Sequence, residues 1–359
     1  MDEIFAALGS PEPCVLVMVT RTLRSSPRAV GSAMVVRRDG SVVGNISEGC
    51  VDGDAVLTAE DVLATGRPVL TTYGVSDGDA MAVGLACGGE IDVVVSPGPP
   101  AAVVDLLREH EQREIACALL TVVSPEDLRG RHLAIGPDDV RGTTGDPARD
   151  RALAAEARVL LGDGRSGVVV TRPDGAPEVT AVVRVVAPAP RMLIFGSGAF
   201  APPLAALGKI LGYHVTVCDA RPTFATRARV PAADEVVVEW PHRYLESTPV
   251  DARTVICSLS HDAKFEIPLL VAALRRPAAY VGALGSRRTQ AVRTEALRRA
   301  GLTDAELTRL RAPIGLDIGA RSPGETAVSI AAEIVSAQTG RTGRALRETI
   351  GSIHPVGTQ

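Results

Sequence analysis

From residue 192 onward, short apolar segments recur between helix-length stretches: Met192–Phe195, His214–Cys218, Glu235–Val238, Thr254–Leu259 and Ala279–Val281. Strands this short, each followed by a helical crossover, predict right-handed βαβ units. They therefore predict a parallel sheet covered by helices on both faces. Two later helices announce their starts. Thr303-Asp304-Ala305-Glu306 and Ser322-Pro323-Gly324-Glu325 both fit a capping box, the second with Pro at its first helical position. Ala327, Ile330, Ala331 and Ile334 then give the i, i+3, i+4, i+7 stripe of a helix packed on that sheet.

The first of these strands runs into Gly196-Ser197-Gly198-Ala199-Phe200-Ala201, a G-x-G-x-x-A match in a strand-to-helix context. Gly196 permits the tight turn, Gly198 lets the backbone approach a phosphate, and Ala201 lets helix and strand pack closely. The helix start offers free N–H groups. Asp219 closes the second strand 21 residues after Gly198, where an acidic residue binds ribose hydroxyls in nucleotide-binding domains. The expectation is a Rossmann-like domain binding a nucleotide-type ligand. The competing reading is the same domain with a loop that holds nothing, or only a different phosphate.

Later strand ends gather at the same carboxyl edge. Ser260-His261-Asp262 follows the fourth strand, with Lys264 and Glu266 close behind. Gly285-Ser286-Arg287-Arg288 follows the fifth and opens a helix. Two arginines in a first turn oppose the helix dipole by roughly a few tenths of a kcal/mol each, a cost that an anion bound there would offset. The bland alternatives are a capping or core His261 and two solvated arginines.

Val186-Ala187-Pro188-Ala189-Pro190 is the seam between domains, giving an N-terminal domain 1–187, a Rossmann-like domain 191–345 and a tail 346–359. In the first domain Val15–Thr20, Ala33–Val36, Ser41–Gly44, Val69–Tyr73, Ile91–Val95 and Ala116–Val123 read as strands. Helices are expected near Val51–Thr65, Pro100–His110 and Ala148–Leu161, and a hairpin around Pro173-Asp174-Gly175. The class is mixed α/β or α+β, with no internal repeat and no low-complexity tract. Three stretches stand out: Ser25-Ser26-Pro27-Arg28, Ser47-Glu48-Gly49-Cys50 and Cys87-Gly88-Gly89-Glu90. A thiol before a helix, as at Cys50, tends toward reactivity, and the paired glycines after Cys87 allow close approach of a ligand or second chain. For either cysteine the alternative is a small buried apolar residue.

Composition excludes several classes. Residues 191–359 hold 21 Lys/Arg against 15 Asp/Glu, a balance of +6, and residues 1–190 hold 17 against 27, a balance of −10; together they give the net −4. A balance of +6 is too small for nucleic acid and suits a small anionic ligand. Apolar runs such as Val15–Val19 fall far short of the roughly 20 residues of a membrane span. The start MDEIFAALGS has no basic or long apolar leader, and the six cysteines contain no Cys-x-x-Cys pair. A cytoplasmic protein with free thiols is expected.

SSPRAVGSAMVV, GNISEGCVDGDAV and LACGGEIDV in the first half, with LIFGSGAFAPPLAALGKILGYHVTVCDAR, SLSHDAKFE, YVGALGSRR and PIGLDIGARSPGETAVSIAAEIV in the second, resemble the xanthine dehydrogenase accessory protein family of the XdhC/CoxI type. The resemblance implies a two-domain, often dimeric cytosolic protein. Such a protein binds molybdenum cofactor (molybdopterin or its dinucleotide), assists its sulfuration with a cysteine desulfurase, and delivers it to a molybdenum hydroxylase. Gly196, Gly198, Ala201, Asp219, His261, Asp262, Gly285, Ser286, Arg287 and Arg288 then become candidates for the cofactor's phosphate end, and Cys50, Cys87 and Gly88 for its sulfur end. Glu48 stands where the family usually carries a second glycine before the cysteine, and Glu266 where it carries a shorter acid. Two other readings remain: an NAD(P)-dependent oxidoreductase, with Asp219 favouring NAD and His261 as proton donor, and a non-catalytic docking protein.

Overall fold

Cys14–Leu23 is apolar on both sides of its pleat: Leu16 and Met18 face one way, Val15, Val17 and Val19 the other, and all five are buried. A strand of that kind belongs in the middle of a covered sheet. In the computed structural model, which describes residues 2–23, 28–74, 89–172, 177–260 and 262–350, it lies there. It pairs antiparallel with Ala33–Arg37 on one side and Glu90–Pro97 on the other. The chain divides into two units, Met1–Pro188 and Ala189–Ile353.

The first unit holds two five-stranded antiparallel sheets. One runs Val42–Gly44, Ala33–Arg37, Cys14–Leu23, Glu90–Pro97, Val69–Gly74; the other runs Val140–Gly142, His132–Ile135, Cys117–Ser124, Val179–Val186, Gly167–Thr171. Each is preceded by a helix (Glu3–Leu8 or Ala101–Gln112), and each inserts a helix between its third and fourth strands (Asp52–Thr65 or Pro147–Asp163). The order of strands and α-helices therefore repeats, although no repeat is visible in the amino-acid sequence. The leading helices share a central cluster with Leu16, Met18, Leu119 and Val182, while each inserted helix covers the other face of its own sheet.

The copies agree in detail. Gly44 and Gly142 end the third strands with φ of 80° and 94°, and a Cβ would lie 2.5 Å from Ala33 O and 2.3 Å from His132 O. Eight residues beyond each glycine stands an aspartate, Asp52 or Asp150. Asp52 Oδ1 accepts from Ile46 N (2.9 Å) as Asp150 Oδ1 accepts from Thr144 N (2.8 Å). Helices on antiparallel sheets make this unit α+β. The residues expected to turn its last hairpin, Pro173, Asp174 and Gly175, lie outside the described residues.

The second unit is a six-stranded, wholly parallel sheet. Its order is Glu235–Val238, His214–Asp219, Arg191–Phe195, Val255–Ser258, Tyr280–Ala283, Leu310–Arg311. In chain order that is 3-2-1-4-5-6, the doubly wound arrangement. Met192 and Ile194 meet the helices Ala201–Ile210 and Pro323–Thr339 on one face. Leu193 and Phe195 meet Pro241–Ser247, Ala263–Leu274 and Arg287–Arg299 on the other. Strand order reverses between Arg191–Phe195 and Val255–Ser258, so the crevice outside their carboxyl ends is where such sheets bind ligands.

Candidate functional site

Gly196 leaves the first strand with φ 106°, and a Cβ there would stand 3.1 Å from Ser260 N as the fourth strand's exit crosses it. Above Gly198 there is open space, and Ala201 is fully buried against the sheet. The helix start offers fewer free N–H groups than the motif alone implies. Ala201 is followed by Pro202 and Pro203, which have no N–H, and Ala201 N donates to Gly198 O at 3.1 Å. No side chain caps this helix. The prolines stand in the sequence, but a rule that checks only glycine spacing passes over them.

Asp219 sits at the end of the second strand, 4% exposed. Ser197 donates to its Oδ2 from both N and Oγ at 2.9 Å. Arg221 donates to Oδ1 from N (3.0 Å) and Nε (2.9 Å) and to Oδ2 from Nη2 (2.8 Å). Burial alone would raise this carboxyl's pKa, but the hydrogen bonds from Arg221 and Ser197 outweigh it and hold the group well below the usual carboxylate range. An acid in the position expected for ribose recognition thus has its acceptors filled by its own chain.

Around Asp219 lies a cleft of about 100 Å³ bounded by Arg221, Pro241, Ser260, Lys264 and Phe265. Asp262 caps the following helix by accepting from Lys264 N (3.1 Å), and its carboxylate pairs with Lys264 Nζ at 3.1 Å. Lys264 Nζ also stands 4.7 Å over the Phe265 ring, which packs edge-on against Trp240 at 4.9 Å. At the tip of the second strand Phe224 carries two guanidiniums, Arg221 at 4.4 Å and Arg229 at 5.2 Å. This aromatic–arginine cluster was not among the residues singled out from the sequence.

Gly285 has φ 153°, and Ser286 caps the next helix by accepting from Thr289 N at 3.1 Å. Arg287 and Arg288 are exposed and form no ion pair among the described residues. Behind this turn Arg293 Nη2 donates to Glu266 Oε1 and to Leu284 O, at 2.7 and 2.6 Å. Glu266 therefore lies in the interior as the partner of Arg293.

In the first unit, Asp52 curls the Cys50 loop by accepting from Ile46 N, Ser47 N and Gly49 N. Glu48 takes a left-handed φ of 56°, a conformation a glycine would adopt without strain. Asn45 Oδ1 receives Arg28 Nε at 2.7 Å and Glu48 N at 3.4 Å, so two of the stretches singled out from the sequence meet here. Cys50 is half-buried beside the first sheet's outer cluster. Cys87, Gly88 and His261 lie outside the described residues. Among the described residues no three His, Cys, Asp or Glu side chains come together as a metal site.

Fold and site define a two-unit protein whose Rossmann domain presents a cleft of paired charges and aromatic side chains at its switch point. Residues 192–334 match the model of the XdhC Rossmann domain and residues 7–74 that of the XdhC and CoxI family. The chain belongs to the XdhC and CoxI family. It is 28% identical over 334 residues to the molybdenum cofactor insertion chaperone PaoD of Escherichia coli (strain K12), covering 92% of this chain and 85% of that one. It is 26% identical over 344 residues to a protein of Bacillus subtilis (strain 168) named as a probable xanthine dehydrogenase subunit, covering 92% and 94%. A Bacillus halodurans crystal structure described as a xanthine dehydrogenase shares the fold, with a TM-score of 0.66, 24% identity and coverage of 95% and 96%.

Proposed function

We propose that this chain is a molybdenum cofactor chaperone. It holds molybdopterin or its dinucleotide, assists the cofactor's sulfuration together with a cysteine desulfurase, and passes it to a molybdenum hydroxylase of the xanthine or carbon monoxide dehydrogenase type. The observation that carries this reading is the similarity, along 92% of the chain, to a protein named as a molybdenum cofactor insertion chaperone. The cleft around Asp219 supports it: cations and an aromatic wall suit the anionic end of a pterin ligand. In this reading the protein works in the cytosol as a homodimer, and Cys50 and Cys87 attend the sulfur-bearing end of the cargo. It is a carrier rather than an enzyme with turnover.

Gel filtration of purified protein mixed with molybdenum cofactor tests the proposal. Stoichiometric retention is expected, weakened by a Cys50→Ala, Cys87→Ala double change. Wild-type protein eluting free of cofactor would falsify it.

A further inference from the structure

We infer that the Rossmann cleft recognises a phosphomonoester beside a flat ring, with Arg221 and Arg229 as the phosphate-binding pair, and discriminates against the free ribose diol of a dinucleotide such as NAD. The inference rests on the reading that this cleft holds a ligand, and it names the chemistry of that ligand.

A ribose diol needs an acceptor carboxylate with lone pairs to spare. Asp219 has none, because Ser197 and Arg221 together deliver five hydrogen bonds to its two oxygens. What the strand tip offers is positive. Arg221 spends Nε and Nη2 on Asp219, its side chain stays 50% exposed, and Nη1 makes no hydrogen bond among the described residues. Arg229 reaches the same Phe224 ring and has no ion pair or side-chain hydrogen bond among the described residues. Within the cleft lining Arg221 and Lys264 balance Asp219 and Asp262, and Arg229, on the Phe224 ring beside the lining, adds a surplus of one positive charge. A phosphate with three oxygens answers that surplus, and guanidinium forks suit it.

Two further observations agree. Pro202 and Pro203 leave the first turn of the helix without two of its N–H donors, which reduces the backbone's share in phosphate recognition and gives side chains more of it. The cleft, at about 100 Å³, is well below the roughly 300–1,000 Å³ of pockets that enclose whole ligands. Pro241 and Phe265 give it an apolar wall for one ring. The terminal phosphate of a pterin and the 2′-phosphate of a nucleotide share this chemistry.

Calorimetric or fluorescence titration of the full chain against two matched pairs separates these sources. One pair is NADP⁺ and NAD⁺; the other is oxidised molybdopterin before and after phosphatase treatment. The phosphorylated member of at least one pair should bind about tenfold tighter or more, as expected for a charge-assisted hydrogen bond, and that pair identifies the source. Arg221→Met should abolish the preference. Arg229→Ala, which leaves Asp219 untouched, should reduce it in a protein with unchanged Tm. Equal binding within both pairs, or a preference that survives both variants, overturns the inference. Cofactor retained on gel filtration without any phosphate preference sinks this inference and spares the chaperone reading. A phosphate preference without cofactor retention supports the inference and sinks the chaperone reading.

Discussion

Arg293 and Glu266 form a buried ion pair, Nη2 to Oε1 at 2.7 Å, with side chains 1% and 6% exposed. It ties the helix after the fourth strand to the helix after the fifth, directly behind the Gly285 turn. Removing one partner strands the other charge in the interior, which typically costs about 3–5 kcal/mol. Glu266→Ala should therefore lower unfolding free energy by that order in a urea titration, and Glu266→Gln by less. A loss under about 1 kcal/mol for the alanine variant would show that Arg293 escapes to water.

Acid should destabilise the protein in two stages. His132 is enclosed by Thr121 Oγ1 and Pro97 O, each 3.0 Å from a ring nitrogen, and burial pushes its pKa down from 6.5 to about 4. Below pH 6.5 the unfolded chain gains a proton that the folded chain refuses, so stability falls until the folded histidine protonates near pH 4. The loss is on the order of 3 kcal/mol. Asp219 adds the second stage in the same direction: its contribution is complete above the ordinary carboxyl value of 3.8 and fades as pH drops below that. Unfolding free energies of wild type and His132→Gln between pH 7 and pH 4 check the first stage. The two curves should differ in slope, and parallel curves would rule the histidine out.

Thiol reactivity should rank by burial. Among the described cysteines, Cys117 and Cys218 are buried and their pKa is pushed up to about 12, and burial also raises Cys257. Cys14 is half-buried with a raised pKa. Cys50 is half-buried in an exposed turn beside Glu48 and Gly49. Iodoacetamide near pH 8, read by peptide mass spectrometry, should modify Cys50 ahead of Cys14 and reach the other three only after denaturation. Modification of Cys117 or Cys257 in the native protein at a comparable rate would contradict the packing.

A methyl group at Gly196 would meet both a positive φ and the Ser260 backbone. Gly196→Ala should shift the loop off Asp219 and weaken ligand binding at the cleft more than it lowers Tm. Gly198→Ala, with open space at its Cβ position, should leave the fold intact and act only on binding. Thermal melts alongside the titrations described above separate these two outcomes.

The parallel sheet was legible because its strands, buried on both faces, are nearly continuous apolar runs such as Met192–Phe195. Its two-residue sixth strand, Leu310–Arg311, carries no periodic signal. In the first unit the long strands could be read, whereas His132–Ile135 and Val140–Gly142 are too short for alternation to register. Sheet order there depends on pairings between residues far apart in sequence, which local pattern does not contain. At the site, the spacing from Gly198 placed Asp219 correctly on the strand tip. Its saturation depends on Ser197, a variable position of the motif, and on Arg221, which lies beyond it. Glu266 read as the last acid of a ligand pattern, while its partner stands 27 residues downstream on another helix.

The doubled topology of the first unit gives the molecule an internal reference. Asp52 and Asp150 perform the same mechanical task in two turns, but only one of those turns leads into a cysteine. Asp150→Ala should lower stability by about 1–3 kcal/mol and leave cargo retention alone. Asp52→Ala should match that stability loss and also displace Cys50. Whatever separates the two variants beyond stability belongs to the thiol-bearing turn and not to the architecture that holds it.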